Sequence, residues 1–269
     1  MADPATLEAL TRRAARLRRH VLTVAATGPA HVGGALSAAD LMAALFFHWL
    51  RFDGAAPRDH FILSKGHAVH ILHACLVERG LLDAAELQTC GQLGSRLGGH
   101  PTRRAPGVEF ATGSLGHGLA VGMGMALGEH VRRSGARTVV LMGDGELQEG
   151  TVWETALAAP RFGLESLLAI VDYNRLQACG AVDDIIPLEP LADKWRAFRW
   201  NVHEIDGHDL GAILGALAAV PATRGPSVII ARTIKGKGVP AVEGTTAAHY
   251  AVLADEDIAR AVAGLGAGA

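Results

Sequence analysis

The chain is poor in cysteine, in aromatic side chains and in excess charge of either sign. Cys75, Cys90 and Cys179 are its three cysteines, widely spaced and without a CxxC or Cys/His metal pattern. That excludes a disulfide-stapled scaffold or a zinc ribbon and fits reduced thiols in a cytoplasmic protein. Aromatics are 5% of residues and the formal net charge is -2. No basic footprint for nucleic acid or an anionic membrane is visible, so neither partner is expected. No apolar run reaches the ~18 residues that a membrane-spanning helix needs. Arg12, Arg13, Arg18 and Arg19 give the N-terminus a superficial transit-peptide look. Leu7, Leu10, Ala14, Leu17 and Val21 recur at helical spacing, however, so a folded amphipathic helix over 7–26 is expected instead.

What is present is apolar and alternating in type. Of 269 residues, 49% are hydrophobic and 19% charged, enough for one large α/β core. The informative stretch runs from Val139 to Leu176. Residues 138–142 form an apolar run that reads as a buried parallel strand and ends in Gly143-Asp144-Gly145. Residues 149–159 read as a helix, broken by Pro160 and Gly163. Residues 167–171 read as the next strand, ending at Asn174. An acid and an amide thus fall at the tips of neighbouring strands, where ligands bind in open α/β sheets. A hard divalent cation takes about six oxygens, few of them from carboxylates. Asp144 and Asn174 supply one each and the Leu176 carbonyl a third. Gly143 and Gly145 allow close approach of a phosphate, to which the Gly145 N–H donates.

GDGELQEGTVWE followed by DYNRL resembles the thiamine-diphosphate motif of the transketolase family. The resemblance extends over about residues 7–252 and matches the family's N-terminal, diphosphate-binding portion. It implies a doubly wound, mostly parallel α/β sheet with helices on both faces, as a single diphosphate-binding domain over 1–263 with a disordered tail at 264–269. The cofactors implied are thiamine diphosphate and Mg2+, with Ca2+ or Mn2+ as substitutes. The implied activity is transfer of a two-carbon ketol unit from a ketose (phosphate) to an aldose.

Further segments carry the same resemblance. In AHVGGALSAAD, His31 matches a substrate-contacting histidine and Gly34 a cofactor-contacting position; Ser37 reads as the cap of a helix to about Leu50. In SKGHAVHILHA, His67 matches a cofactor contact, and loop N–H groups at the following helix start suit an anion. His70 and His73 stand one turn apart, a metal-ligand spacing, but no third ligand is evident and they read as packing residues. His100 of GGHP matches a residue lining the substrate channel. Gly113, Ser114 and Leu115 match the loop facing the aminopyrimidine. Lys235 of KGKG matches a diphosphate-contacting lysine, and His249 a histidine near cofactor and substrate. Glu149 and Glu154 match either a carboxylate network between paired sites or plain helix-start acids; Glu146 reads as surface-facing. Asp209 reads as a helix cap. The chain departs from the family at Ala30, His117 and Tyr250.

The family's glutamate that activates the aminopyrimidine belongs to a pyrimidine-binding domain not found in this sequence. The resemblance therefore implies the N-terminal subunit of a split enzyme, with a C-terminal partner subunit, an α2β2 assembly and sugar phosphate substrates. A subunit of deoxyxylulose-phosphate synthase or 2-oxo-acid dehydrogenase type, or a non-catalytic subunit, would carry the same central motif.

Overall fold

The computed structural model describes residues 3–54, 56–220 and 224–266. Its first helix, α1 (Pro4–Ala25), is capped by Asp3, whose carboxylate accepts the Thr6 N–H at 2.9 Å. Leu10, Ala14, Leu17 and Val21 form its buried stripe, as their spacing requires.

Five parallel strands make the sheet: β1 (His60–Leu63), β2 (Thr138–Gly143), β3 (Leu167–Tyr173), β4 (Asn201–Asp206) and β5 (Ser227–Arg232), in the order β1-β2-β3-β5-β4. Register pairs Ile62 with Val140, Leu141 with Ile170 and Val171 with Ile230. Val139, Leu141, Leu168, Ile170 and Ile229 join one buried cluster; Val140, Met142, Ala169, Val171 and Ile230 join a second. Both clusters being buried is why these strands read as unbroken apolar runs rather than alternating ones. The first cluster takes in α1, α3 (Ala39–Ala44), α4 (Val69–Glu78) and α9 (Leu210–Ala218). The second takes in α5 (His117–Arg132), α6 (Gly150–Ala158), the short α7 (Val182–Ile185) and α8 (Leu191–Ala197). After β3 the chain passes to the outer strand β4 and returns to β5 in between. Such reversals open a crevice at the carboxyl ends of strands.

Two boundaries differ from expectation. Ser37 does not start a helix: α2 (Val32–Ser37) begins five residues earlier, and α3 passes into a wide π-turn over Leu45–Trp49. The Ser37 hydroxyl is drawn inward, to the Asp172 carboxylate at 2.6 Å. The last helix, α10 (Asp255–Gly264), runs through Gly264, and Leu265 packs on the core; residues 267–269 of the expected tail lie outside the described residues. Asp209 does cap α9, accepting from the Gly211 and Ala212 N–H groups at 2.8 and 3.1 Å. Among the described residues no helix is long and apolar enough to cross a membrane.

Candidate active site

The tips of β2 and β3 converge as their parallel register demands. Gly143 lies opposite Asp172, which places Asp144 beside the turn that follows β3. That turn depends on Arg175 in the left-handed region, with φ 63°. It aims the Arg175 N–H at one Asp144 oxygen, at 2.5 Å, while the Gly145 N–H reaches the other at 2.7 Å. One residue on, the Leu176 N–H donates to Asn174 Oδ1 at 3.1 Å. The Leu176 carbonyl accepts from the Lys235 ammonium at 2.7 Å.

The donor set fits a hard divalent cation. It consists of a carboxylate, an amide oxygen and a backbone carbonyl, all oxygen. Asp144 is 3% exposed, and no cationic side chain hydrogen-bonds to it among the described residues. Burial, and then the nearby Asp172 charge, push its pKa up to about 6. A metal ion would supply the missing counter-charge. At Leu176 the Lys235 ammonium already shows that the carbonyl attracts a cation. At Gly145 an added Cβ would come within 2.9 Å of the Gln177 side chain, so the backbone there is packed closely on one side.

Four of the singled-out histidines meet in one cluster although 218 positions separate His31 from His249. The His31 ring lies 5.7 Å from that of His67, 6.0 Å from His100 and 5.4 Å from His249. His67 and His249 stack at 5.2 Å, and Lys235 Nζ is 3.1 Å from His249 Nδ1. Gly34 lines this cluster without filling it: a Cβ there would stand 3.1 Å from His67 Nε2 and 3.2 Å from Lys65 Nζ. Gly113, at φ +152°, abuts the His100 ring, 3.2 Å from where its Cβ would be. Ser114 is exposed and Leu115 half-buried.

Burial disfavours charge on three of these rings, His31, His67 and His249. It lowers His67 to about 2, with Lys65 adding to the effect, and His249 to about 4, with Lys235 next in weight. His31 is lowered by burial, then by His100 and Lys235. Lys235 itself falls to about 8 through burial and the nearby Lys65. At neutral pH His31, His67 and His249 are neutral imidazoles beside a lysine, each able to donate from one nitrogen and accept at the other.

Three supporting residues escape or mislead a reading of the sequence. Lys65 and Asp172 form a fully buried ion pair. Lys65 also donates to the Gly34 carbonyl at 2.8 Å, and Asp172 accepts from Ser37 and Thr233. Against the pull of its own burial, the Lys65 ammonium holds the Asp172 pKa down. Glu146 is not surface-facing: it is 1% exposed. It accepts from the Ser64 hydroxyl, from Gly116 N–H at 2.9 Å and from Gly143 N–H at 3.2 Å, tying three site loops together. Glu149 and Glu154 are exposed. Of the departures, Ala30 is buried and bridges to Ala251, His117 is exposed, and Tyr250 is exposed with its ring 4.7 Å from His31.

Comparison with known proteins converges on one group. Residues 12–268 match the family model described as transketolase, thiamine diphosphate binding domain. One of the subunits of the apulose-4-phosphate transketolase of Phocaeicola vulgatus is 40% identical over 237 residues, 86% of this chain and 84% of that protein. A 6-deoxy-6-sulfo-D-fructose transketolase subunit of a Clostridium species is 41% identical over 244 residues, 88% of this chain and 89% of that one. Among solved structures, the transketolase from Leishmania mexicana superposes with a TM-score of 0.90 at 30% identity, covering 99% of this chain and 42% of the other.

Proposed function

The chain belongs to the transketolase family, as its thiamine-diphosphate-binding domain, and on that premise we propose that it is the N-terminal subunit of a two-chain transketolase. It would transfer a two-carbon ketol unit from a ketose or ketose phosphate to an aldose acceptor. The observation that carries the reading is the meeting of His31, His67, His100 and His249 beside the Asp144–Asn174–Leu176 turn. Relatives spanned almost end to end by this chain are named as transketolase subunits, which supports a separate partner chain. We propose an α2β2 assembly in the cytoplasm.

When bound, thiamine diphosphate supplies the nucleophilic carbon and the electron sink for breaking the donor's carbon–carbon bond. Asp144, Asn174 and the Leu176 carbonyl would hold Mg2+, or Ca2+ or Mn2+ in its place. Gly145 N–H, His67 and Lys235 would hold the diphosphate, with Gly34 leaving room for it. Gly113, Ser114 and Leu115 would face the aminopyrimidine. His31, His100 and His249 would accept a proton from a donor hydroxyl and return it to the acceptor's oxygen, so the same groups serve both half-reactions. The buried Lys65–Asp172 pair would hold the Gly34 carbonyl and the Ser37 hydroxyl in place beneath the site.

The test combines the purified chain with its partner chain, thiamine diphosphate, Mg2+, a ketose phosphate and an aldose. The expected product is a ketose two carbons longer than the acceptor. Decarboxylation of pyruvate without any ketol transfer would replace this reading with that of another thiamine-diphosphate enzyme.

A further inference from the structure

Below the histidine cluster lies a second group that the proposed reaction does not use. His70 and His73 project from one side of α4, and the loop that follows the next turn brings Cys90 against them. Their candidate ligand atoms all lie within 4.8 Å of one another. Cys90 Sγ is 3.8 Å from His70 Nδ1, close to the roughly 3.5 Å between nitrogen and sulfur around a tetrahedral Zn2+. His73 is 1% exposed and its Nδ1 has no hydrogen-bond partner among the described residues. A buried polar atom left unpaired is costly unless something fills the position. The sequence offers only two ligands at helical spacing; Cys90 arrives by tertiary folding.

We propose that His70, His73 and Cys90 form a binding site for a borderline-soft divalent cation of the Zn2+ type, separate from the diphosphate metal. Two imidazoles and a thiolate are a donor set that Zn2+ prefers and Mg2+ does not. Burial keeps the two imidazoles neutral, lowering His70 to about 4 and His73 to about 3, but favours the protonated thiol at Cys90, pushing it up to about 11, so the ion must displace that proton. Cys90 gives its proton to solvent as the ion binds. The fourth position opens on a cavity of about 430 Å³, lined by His70 and Cys90 on one side and by His31 and Tyr250 on the other. Water enters there to complete the tetrahedron. The ion has a structural consequence for the active site. Cys90 and Gly98 approach each other at 3.6 Å, and His100 follows two residues later. A bound cation therefore pins Cys90 to α4 and, by taking the thiol proton, ends its donation to the Gly98 carbonyl two residues before His100.

The test uses Co2+ as a spectroscopic substitute for Zn2+ on the full chain. A thiolate-to-metal charge-transfer band in the near ultraviolet reports ligation by sulfur, and the all-oxygen Asp144 site cannot produce it. One Co2+ per chain with that band, displaced by Zn2+, is expected. Cys90→Ser should abolish the band and weaken Zn2+ binding at least tenfold, and His73→Phe should do likewise. Cys90 is only half-buried, so the serine variant keeps the result interpretable if His73→Phe does not fold; circular dichroism checks this. Absence of the band in the unmodified chain, or its persistence in Cys90→Ser, would overturn the site.

Discussion

Asp144 holds an acid where burial opposes its charge, with two backbone N–H groups as its direct partners. A residue so placed is poorly explained by stability and well explained by a cation. Asp144→Ala should lower the affinity for thiamine diphosphate with Mg2+ by about 100-fold or more, at the upper end of what disturbing a metal's surroundings costs. Calorimetry in the presence of the partner chain measures this, and an unchanged affinity would remove Asp144 from the site. Lys65 poses the opposite case. Its ammonium is 1% exposed and pairs with a carboxylate that is fully buried. Lys65→Met leaves Asp172 charged and unpaired, so unfolding free energy should fall by about 3–5 kcal/mol, read as a lower denaturation midpoint. The two cases also mark what a sequence displays. Asp144 and Asn174 are legible because each ends an apolar run within a recognisable motif. Asp172 is not, because it falls between the apolar run over 167–171 and the motif's Asn174, and its partner Lys65 is 107 positions away. Glu146 misleads for a related reason. Its three donors come from Ser64, Gly116 and Gly143, two of them in loops that only the fold brings near.

The elements show the same division. Strands β2, β3 and β5 are readable because both sheet faces are covered, so apolar residues occur in runs. The segment over 32–49 is not, because no local signal announces that Ser37 turns inward to Asp172 or that the helix widens at Leu45. How tightly elements meet is likewise a tertiary matter, and α5 offers a paired test. A Cβ on Gly122 would lie 2.4 Å from Val140 Cγ2, whereas one on Gly124 meets nothing within 4 Å. Gly122→Ala should therefore destabilise by about 1–3 kcal/mol through overpacking against β2. Gly124→Ala should stabilise the isolated chain by up to about 1 kcal/mol through helix propensity. Equal effects of the two would mean that α5 does not pack on β2 as described. Asp59 links elements by charge. Its carboxylate accepts from Arg51 and Arg137, both backbone and side chain, at the entrances to β1 and β2. Against its burial, those hydrogen bonds hold its pKa far below the usual 3.8. A carboxylate so lowered contributes stability that is fully present above the unfolded value and is lost as pH falls below about 4. Acid denaturation should be shallower in Asp59→Asn, which starts from lower stability at pH 7 and loses less on acidification.

At the scale of the whole molecule, the site is open on one side. Ser114 and Tyr250 are exposed, the latter by 59% although its ring touches the His31 face. Gly113 and His100 lie along the same open edge. Ketol transfer needs water kept from a reactive carbanion, and an exposed rim does not provide that. A second chain seated over the 111–115 loop would close it and bring the acid that activates the aminopyrimidine. The chain alone, given thiamine diphosphate, Mg2+ and a ketose phosphate donor, should therefore show no ketol transfer above background. Activity should rise linearly as the partner chain is added and saturate at one partner per chain, a titration followed in parallel by mass photometry. Full turnover by the chain alone would mean that the rim closes by another route, such as self-association, and would remove the need for a partner. Tyr250→Gly then separates the rim from the chemistry. If the tyrosine only narrows the channel, the glycine variant should retain kcat and change KM for the bulkier acceptors. A loss of kcat with small acceptors would instead place the Tyr250 ring among the groups that hold His31 in position.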